Sequence, residues 1–213
     1  MSATTPLYHI RPATVADIDA LVAVHADAFN DKFLQAFGAR KFHRGLALLA
    51  ETWRRQGNAG LQGIWVVEWH DTIIGTIAVR ARHTLRDAPM VPVEWLFIRG
   101  LGFFRAMYAL SALSVIDYAI RFDEMYISDV AVMSAFRRRG VAAAMLHHAE
   151  QEARRQHVKY LSLYVNARNR AARELYLKMG FQMHHVRRSL WAWVLIRHAR
   201  WALMRKDVLA SDA

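Results

Sequence analysis

The chain has no cysteine. A disulfide framework, a thiolate zinc site and a cysteine nucleophile are therefore excluded, and any covalent chemistry must use another residue. It also lacks a long apolar run. A membrane-spanning helix needs about 20 consecutive apolar residues, and the greasiest stretch, residues 91–120, is interrupted by Glu94, Arg99, Arg105 and Asp117. Residues 1–11 carry no charged segment followed by an apolar one, so no secretory signal is visible and a cytoplasmic protein is expected. The third scarcity is local. Residues 137–206 hold 16 basic residues against 3 acidic ones, whereas residues 1–136 hold 13 of each. The final third thus carries the whole excess behind the net charge of +11, which points to an anionic partner held there: a nucleotide cofactor, nucleic acid or an acidic membrane surface.

What is present is an ordinary globular mix, 54% hydrophobic and 22% charged, which excludes collagen-like, low-complexity and disordered chains. At 213 residues the length suits one domain with an insertion better than two domains of about 150 residues. Residues 7–10 read as a short strand ended by Arg11-Pro12. Thr14 and Asp17 have capping-box spacing ahead of a helix lined by Ile18, Leu21, Val22, His25 and Phe29, where His25 reads as a packed histidine rather than a ligand. Asp31 is placed to cap a second helix reaching about Arg55, and Gly57, Gly60 and Gly63 read as the loop after it. Residues 64–69 and 72–80 form a hairpin about His70-Asp71, with a bulge expected at Gly75.

From about 82 to 124 the alternation is lost, and Trp95 to Arg121 reads as a mostly helical, aromatic insertion. Strands over 126–132 and 160–165 then alternate with helices over 141–156 and 170–179. Asn169 stands at an N-cap, Gly180 at a left-handed C′ position, and Phe181 where a Schellman motif packs its apolar follower. Two last strands, 181–187 and 199–209, flank the aromatic stretch 190–196. The order is that of an α/β chain.

The chemistry concentrates at Asp129-Val130-Ala131-Val132 running into Arg137-Arg138-Arg139-Gly140-Val141-Ala142-Ala143 and an apolar helix. Small residues leave backbone N–H groups bare at a helix N-terminus, where the dipole favours an anion such as a pyrophosphate. Three arginines beside the turn add charge-assisted donors. A tight turn beside a solvated basic face would look the same. Other phosphate motifs are missing: Gly100-Leu101-Gly102 lacks a third glycine and a preceding strand, and no Walker lysine follows a glycine-rich loop. The doublets His147-His148 and His184-His185 lack metal-ligand spacing with carboxylates, so no metal is expected.

Arg137-x-x-Gly140-x-Ala142 and Asn169-x-x-Ala172-x-x-x-Tyr176-x-x-x-Gly180-Phe181 resemble the two most specific motifs of the GNAT superfamily of acyl-CoA-dependent N-acyltransferases. The opening Ile10-Arg11-Pro12-Ala13-Thr14 with Asp17, and Leu203-Met204-Arg205-Lys206-Asp207 near the end, resemble the family's first and last strands. The resemblance covers most of the chain, excepting roughly 82–124 and 190–198. It implies a mixed, mostly antiparallel sheet of about seven strands flanked by helices, with a helical insertion before the central strand, and acetyl-CoA as co-substrate. It further implies that the backbone of Val130, Ala131 and Val132 pairs with the pantetheine arm, the Val130 N–H polarising the thioester carbonyl. Arg137, Arg138, Arg139, Gly140, Val141, Ala142 and Ala143 would hold the pyrophosphate, and Asn169 and Ala172 would border the pantetheine.

By the same resemblance Tyr176 is the acid that protonates the departing thiolate, and Asp129 the base that takes the amine proton directly or through water. Family members carry glutamates where this chain has Ser128, Tyr126 or Tyr164, so a water-mediated route, or an amine arriving neutral, stays open. The acceptor is a primary amine on a small molecule or a peptide, taken by a monomer or homodimer through direct transfer in a ternary complex. The insertion's Trp95, Phe97, Phe103, Phe104, Met107, Tyr108 and Leu110 read as core or subunit contact, or as an aromatic lid over the acceptor or acyl group. Two rival readings use the same residues: a basic nucleic-acid or membrane-surface binder, and a non-catalytic acyl-CoA sensor.

Overall fold

A computed structural model describes residues 8–82, 92–113, 118–188 and 200–209. Strand β1 spans His9–Pro12 and so includes the proline expected to end it. It is the outer strand of the sheet, where a missing N–H leaves no ladder bond unmade. The capping box forms: Asp17 Oδ2 accepts from Thr14 N–H and Oγ1, each at 2.8 Å, and Arg11 grips the same carboxylate with two bonds of 2.8 Å. Helix α1, Ile18–Ala28, buries Ile18, Leu21 and Val24. His25 is satisfied where it stands, with Nδ1 2.8 Å from the Leu21 carbonyl and its ring against Phe29 and Trp53.

The single helix expected from Asp31 to about Arg55 is two: α2, Asn30–Phe37, and α3, Phe42–Gly60. Gly38 takes φ +76° and ends α2, and Asp31 lies inside its first turn rather than capping it. Gly57 and Gly60, expected in a loop, belong to α3, which Gly57 kinks at φ +59°. Strands β2, Ile64–Trp69, and β3, Thr72–Ala81, form the expected hairpin. His70 and Asp71 both adopt positive φ, +46° and +58°, the geometry of a type I′ turn without its usual glycine. The register jumps from Val67–Gly75 to Glu68–Ile73, so the extra residue is Ile74, one before the expected bulge. Gly75 is needed for another reason. A Cβ there would lie 3.1 Å from the Ala131 carbonyl oxygen and 3.2 Å from Val141 Cγ1, so its bare backbone lets Val141 close onto the sheet.

Helices α4, Glu94–Leu101, and α5, Phe103–Leu113, lie between β3 and the next strand, as the expected helical insertion. They pack on α2 and α3 around Phe33, Phe37, Phe97 and Leu101. Then come β4, Glu124–Val132; α6, Val141–Arg155; β5, Tyr160–Asn166; α7, Arg170–Lys178; β6, Gln182–Arg188; and β7, Arg200–Asp207. These bounds lie within two residues of the expected ones. The aromatic stretch 190–196 falls outside the described residues.

The seven-stranded sheet has the order β1-β2-β3-β4-β5-β7-β6, and its neighbours are antiparallel except for the parallel pair β4–β5. Helices α6 and α7 cover one face about Met145, Leu146, Leu161 and Phe181, while α1 and α3 cover the other about Leu21, Ala50 and Val66. The fold is thus the mixed, mostly antiparallel α/β sheet flanked by helices that the sequence implies.

Candidate active site

The one parallel pairing is where the sheet opens. β4 and β5 are in register from Glu124–Tyr160 to Ile127–Leu163 and no further. Beyond that point β4 stays with β3 as far as the Val132–Gly75 pair, and β5 stays with β7 as far as Asn166–Trp201. Residues 128–132 and 164–166 therefore face each other across a widening gap, each strand with one edge of backbone groups turned into it. Such groups need partners when they are removed from water. A bulge marks the fork: Ala78 pairs with Asp129 and Val79 with Ile127, which leaves Ser128 extra. Past the bulge Val130 and Val132 pack on the α6 side and Ala131 on the α1 side.

At the open end of the gap the chain turns into α6. Gly140, at φ +84°, is its N-cap and offers no side chain to the first amides. The first backbone bond of the helix runs from the Ala144 N–H to the Gly140 carbonyl at 2.9 Å, so the N–H groups of Val141, Ala142 and Ala143 point out of the helix end unpaired within it. A Cβ on Gly140 would meet nothing within 4 Å; the space over these amides is open. Arg137, Arg138 and Arg139 are exposed around it. Arg137 Nε also donates to the Val132 carbonyl at 3.2 Å, and Arg138 holds φ +60°.

The turn is braced from outside. The Tyr8 hydroxyl donates to the Arg139 carbonyl at 2.8 Å, Ser134 Oγ donates to Asp27 of α1 at 2.9 Å, and the Arg139 guanidinium lies 5.4 Å from the centre of the Phe136 ring. Dipole, amides and guanidinia all favour an anion at this notch. Neither Tyr8 nor Asp27 carries a motif, and sequence reasoning did not single them out.

Tyr176 and Asp129, expected as acid and base, influence each other electrostatically. Tyr176 is 9% exposed in the core under α7. Burial, reinforced by the Asp129 charge, pushes its hydroxyl up to about 12. The Tyr126 hydroxyl is also pushed up, by burial first and by Asp129 second. Asp129, half-buried, thus lies within electrostatic reach of both. The Schellman motif fixes Tyr176: Phe181 N–H donates to the Tyr176 carbonyl at 2.9 Å, Gly180 N–H to Leu177 at 3.0 Å, and the Phe181 ring packs 5.9 Å from the Tyr176 ring. Asn169 caps α7, its Oδ1 accepting from the Ala172 N–H at 3.1 Å, so its side chain already has a partner within the protein.

Across the fork stands an aromatic wall that the sequence did not announce. Tyr118 stacks on Tyr126 at 4.7 Å and meets Tyr164 edge-on at 5.6 Å. Tyr118 is held from below by Glu124, which is fully buried and accepts from Tyr118 Oη at 2.7 and 2.8 Å, from Arg205 Nη2 at 3.1 Å and from Ser162 Oγ. These residues come from three strands and a connection, up to 87 positions apart between Tyr118 and Arg205, so no local spacing could have joined them.

A gap lined by the facing edges of two strands thus ends at a bare and basic helix N-terminus. The comparisons with known proteins bear on the family. The Acetyltransferase (GNAT) family profile matches residues 25–181, and no curated protein sequence matches the chain. Among solved structures, an acetyltransferase superposes with a TM-score of 0.63 at 22% identity, over 94% of this chain and 99% of its own. The PaiA N-acetyltransferase of Thermoplasma acidophilum, in complex with coenzyme A, gives 0.58 at 12%, over 94% and 99%. The ribosomal-protein-S18-alanine N-acetyltransferase of Escherichia coli gives 0.54 at 15%, over 95% and 94%. At these identities the solved structures bear on the fold alone; the profile, spanning most of the sequence, decides the membership. The chain belongs to the acetyltransferase (GNAT) family and is an acyl-CoA-dependent N-acetyltransferase.

Proposed function

We propose that this protein transfers an acetyl group from acetyl-CoA to a primary amine by direct attack in a ternary complex. The observation that carries the proposal is the fork itself: β4 and β5 part at Ile127–Leu163, Asp129 and Tyr176 flank the parting, and the open end of the gap runs to the uncapped start of α6. Acetyl-CoA supplies the activated acyl group. The exposed edge of Val130, Ala131 and Val132 aligns the pantetheine arm, and the Val130 N–H stabilises negative charge on the carbonyl oxygen. The amides of Val141, Ala142 and Ala143, with Arg137, Arg138, Arg139 and Gly140, take the pyrophosphate, and Asn169 and Ala172 border the arm from α7.

Asp129 removes a proton from the amine, directly or through water, so that the nitrogen lone pair is free to bond to the acetyl carbon. As that C–N bond forms and the C–S bond breaks, Tyr176 gives its hydroxyl proton to the leaving sulfur. The nitrogen, now bonded to the acetyl carbon, gives its surplus proton to the tyrosinate and restores the hydroxyl, and Asp129 releases its own proton to solvent, leaving amide and free thiol. A hydroxyl raised to about 12 is fully protonated at neutral pH, the state an acid must start from. Tyr118, Tyr126 and Tyr164 wall the acceptor side. The test is thermal stabilisation by acetyl-CoA followed by an amine screen read as thiol release. Stabilisation with release for at least one amine is expected. Tight binding without release across a broad panel turns the reading into a sensor; no stabilisation at all removes the cofactor site.

A further inference from the structure

The insertion carries a surface that acetyl transfer does not use. Helices α4 and α5 meet at Gly102, whose φ is +80° and above which nothing lies within 4 Å. Phe103 and Phe104 follow at once, 58% and 87% exposed and edge-on to each other at 5.5 Å. Met107, 45% exposed, adds to them one turn along α5. Large apolar groups this bare, set side by side at the junction of two helices, are uncommon on soluble monomers and mark contact sites.

The tip wears a collar of one charge. Lys41 Nζ donates to the Leu101 carbonyl at 2.7 Å, and Arg105 Nη2 donates to the Gln35 carbonyl at 3.1 Å while its guanidinium rests on Gly38. Residues 38–44 are thereby held against residues 99–107. Together the two segments contain Arg40, Lys41, Arg44, Arg99 and Arg105 and no aspartate or glutamate. The nearest acidic residues in sequence are Asp31 and Glu94, in the opening turns of α2 and α4, and Glu51, which pairs with Arg55 along α3.

We propose that this tip docks the protein peripherally on anionic lipid bilayers, Phe103 and Phe104 entering the interface, the exposed Arg40, Arg44 and Arg99 facing headgroup phosphates, and Lys41 and Arg105 adding to the field from their places on backbone carbonyls. Charge and shape select that occupant. A second copy brought tip to tip would set five cations against five. A stable protein partner needs about 800 Å² from each side, more than three part-exposed apolar side chains present. A bilayer needs no matching contour: aromatic rings settle at the boundary between headgroups and acyl chains, and each nearby Lys or Arg adds attraction to an anionic leaflet. Among the described residues no helix is long and apolar enough to cross a membrane, so the contact is one of surface docking.

The test is co-sedimentation of the full chain with vesicles of phosphatidylcholine alone and of phosphatidylcholine with about a third phosphatidylserine. Binding is expected to the anionic vesicles only, and to weaken as salt rises. The Phe103→Ala/Phe104→Ala pair should lower the partition coefficient about tenfold or more, from the apolar area it withdraws, with melting temperature and response to acetyl-CoA unchanged. Arg40→Glu/Arg44→Glu should abolish binding at moderate salt. The proposal is overturned if anionic vesicles leave the chain in solution, or if the phenylalanine pair binds them as well as the parent. It is equally overturned if light scattering finds a dimer that the pair of alanines dissolves, since the tip is then a contact between copies.

Discussion

Replacing Tyr176 by phenylalanine separates a catalytic hydroxyl from a structural one. The ring is held by the Schellman turn and by Phe181 at 5.9 Å, contacts that phenylalanine keeps. Among the described residues the hydroxyl makes no hydrogen bond, and the residue as a whole is 9% exposed. Loss of a positioned general acid lowers rates by about 10² or more, or about 2.7 kcal/mol at 1.36 kcal/mol per tenfold. Removing a hydroxyl that has no partner among the described residues breaks no hydrogen bond within them, so the variant should melt no lower than the parent. Turnover should therefore fall about a hundredfold while acetyl-CoA affinity and stability hold.

A pH signature accompanies this. Burial raises the folded hydroxyl from its ordinary value of 10.0 to about 12, so its stabilisation is complete below pH 10 and is lost as pH climbs through the folded value. The phenylalanine variant should lack that share of the alkaline loss. The measurements are thiol release at saturating amine and acetyl-CoA, melting with and without acetyl-CoA, and stability between pH 9 and 12. Unchanged turnover refutes the assignment of Tyr176 as acid; a large fall in melting temperature refutes the account of its packing.

Asp129→Asn should let the Tyr126 and Tyr176 hydroxyls ionise at lower pH than in the parent, visible in an ultraviolet alkaline titration, and should slow turnover; unmoved tyrosines would place the carboxylate elsewhere. Gly140→Val puts a β-branched residue at φ +84°, a strain of about 1–2 kcal/mol, and intrudes on the space over the α6 amides, so stabilisation by acetyl-CoA should vanish while a folded melting transition remains. A ligand-induced rise in melting temperature that survives this substitution would show that the pyrophosphate binds elsewhere. Glu124→Ala leaves Arg205 without its carboxylate in a buried setting, and should lower stability by about 3–5 kcal/mol in denaturant titration; a loss under 1 kcal/mol would mean that the network is solvated.

The parts of this protein that were legible in advance are those whose cause is local. Gly180 and Phe181 end α7 because a left-handed residue and an apolar follower close a Schellman motif within six positions, and Thr14 with Asp17 starts the first helical segment for a similarly short-range reason. The same holds for the bare turn at Gly140. Gly38 was missed because the helical periodicity continues across it and only a tertiary contact with Arg105 shows why a glycine stands there. Pro12 was misjudged because its tolerance depends on β1 being an edge, a property of the whole sheet. The wall of Tyr118, Tyr126 and Tyr164 and the Glu124 network beneath it were invisible for the same reason: each contact crosses strands distant in sequence.

That division has a mechanical consequence. For β4 and β5 to part, each strand must be held elsewhere, and each is, by β3 and by β7 along its full length. The pressure to close comes from backbone groups along residues 128–132 and 164–166 that have no strand partner across the gap, and several long-range devices oppose it. The Ser128 bulge redirects β4, the missing side chain of Gly75 seats Val141 against the sheet, and Asp27 ties Ser134 to α1. On the β5 side, Glu124, Ser162 and Arg205 lock the last paired residues below the fork. The gap is therefore built by the surrounding packing, so an arm entering it meets donors and acceptors already placed, and the ordering cost of binding falls on the ligand rather than the protein.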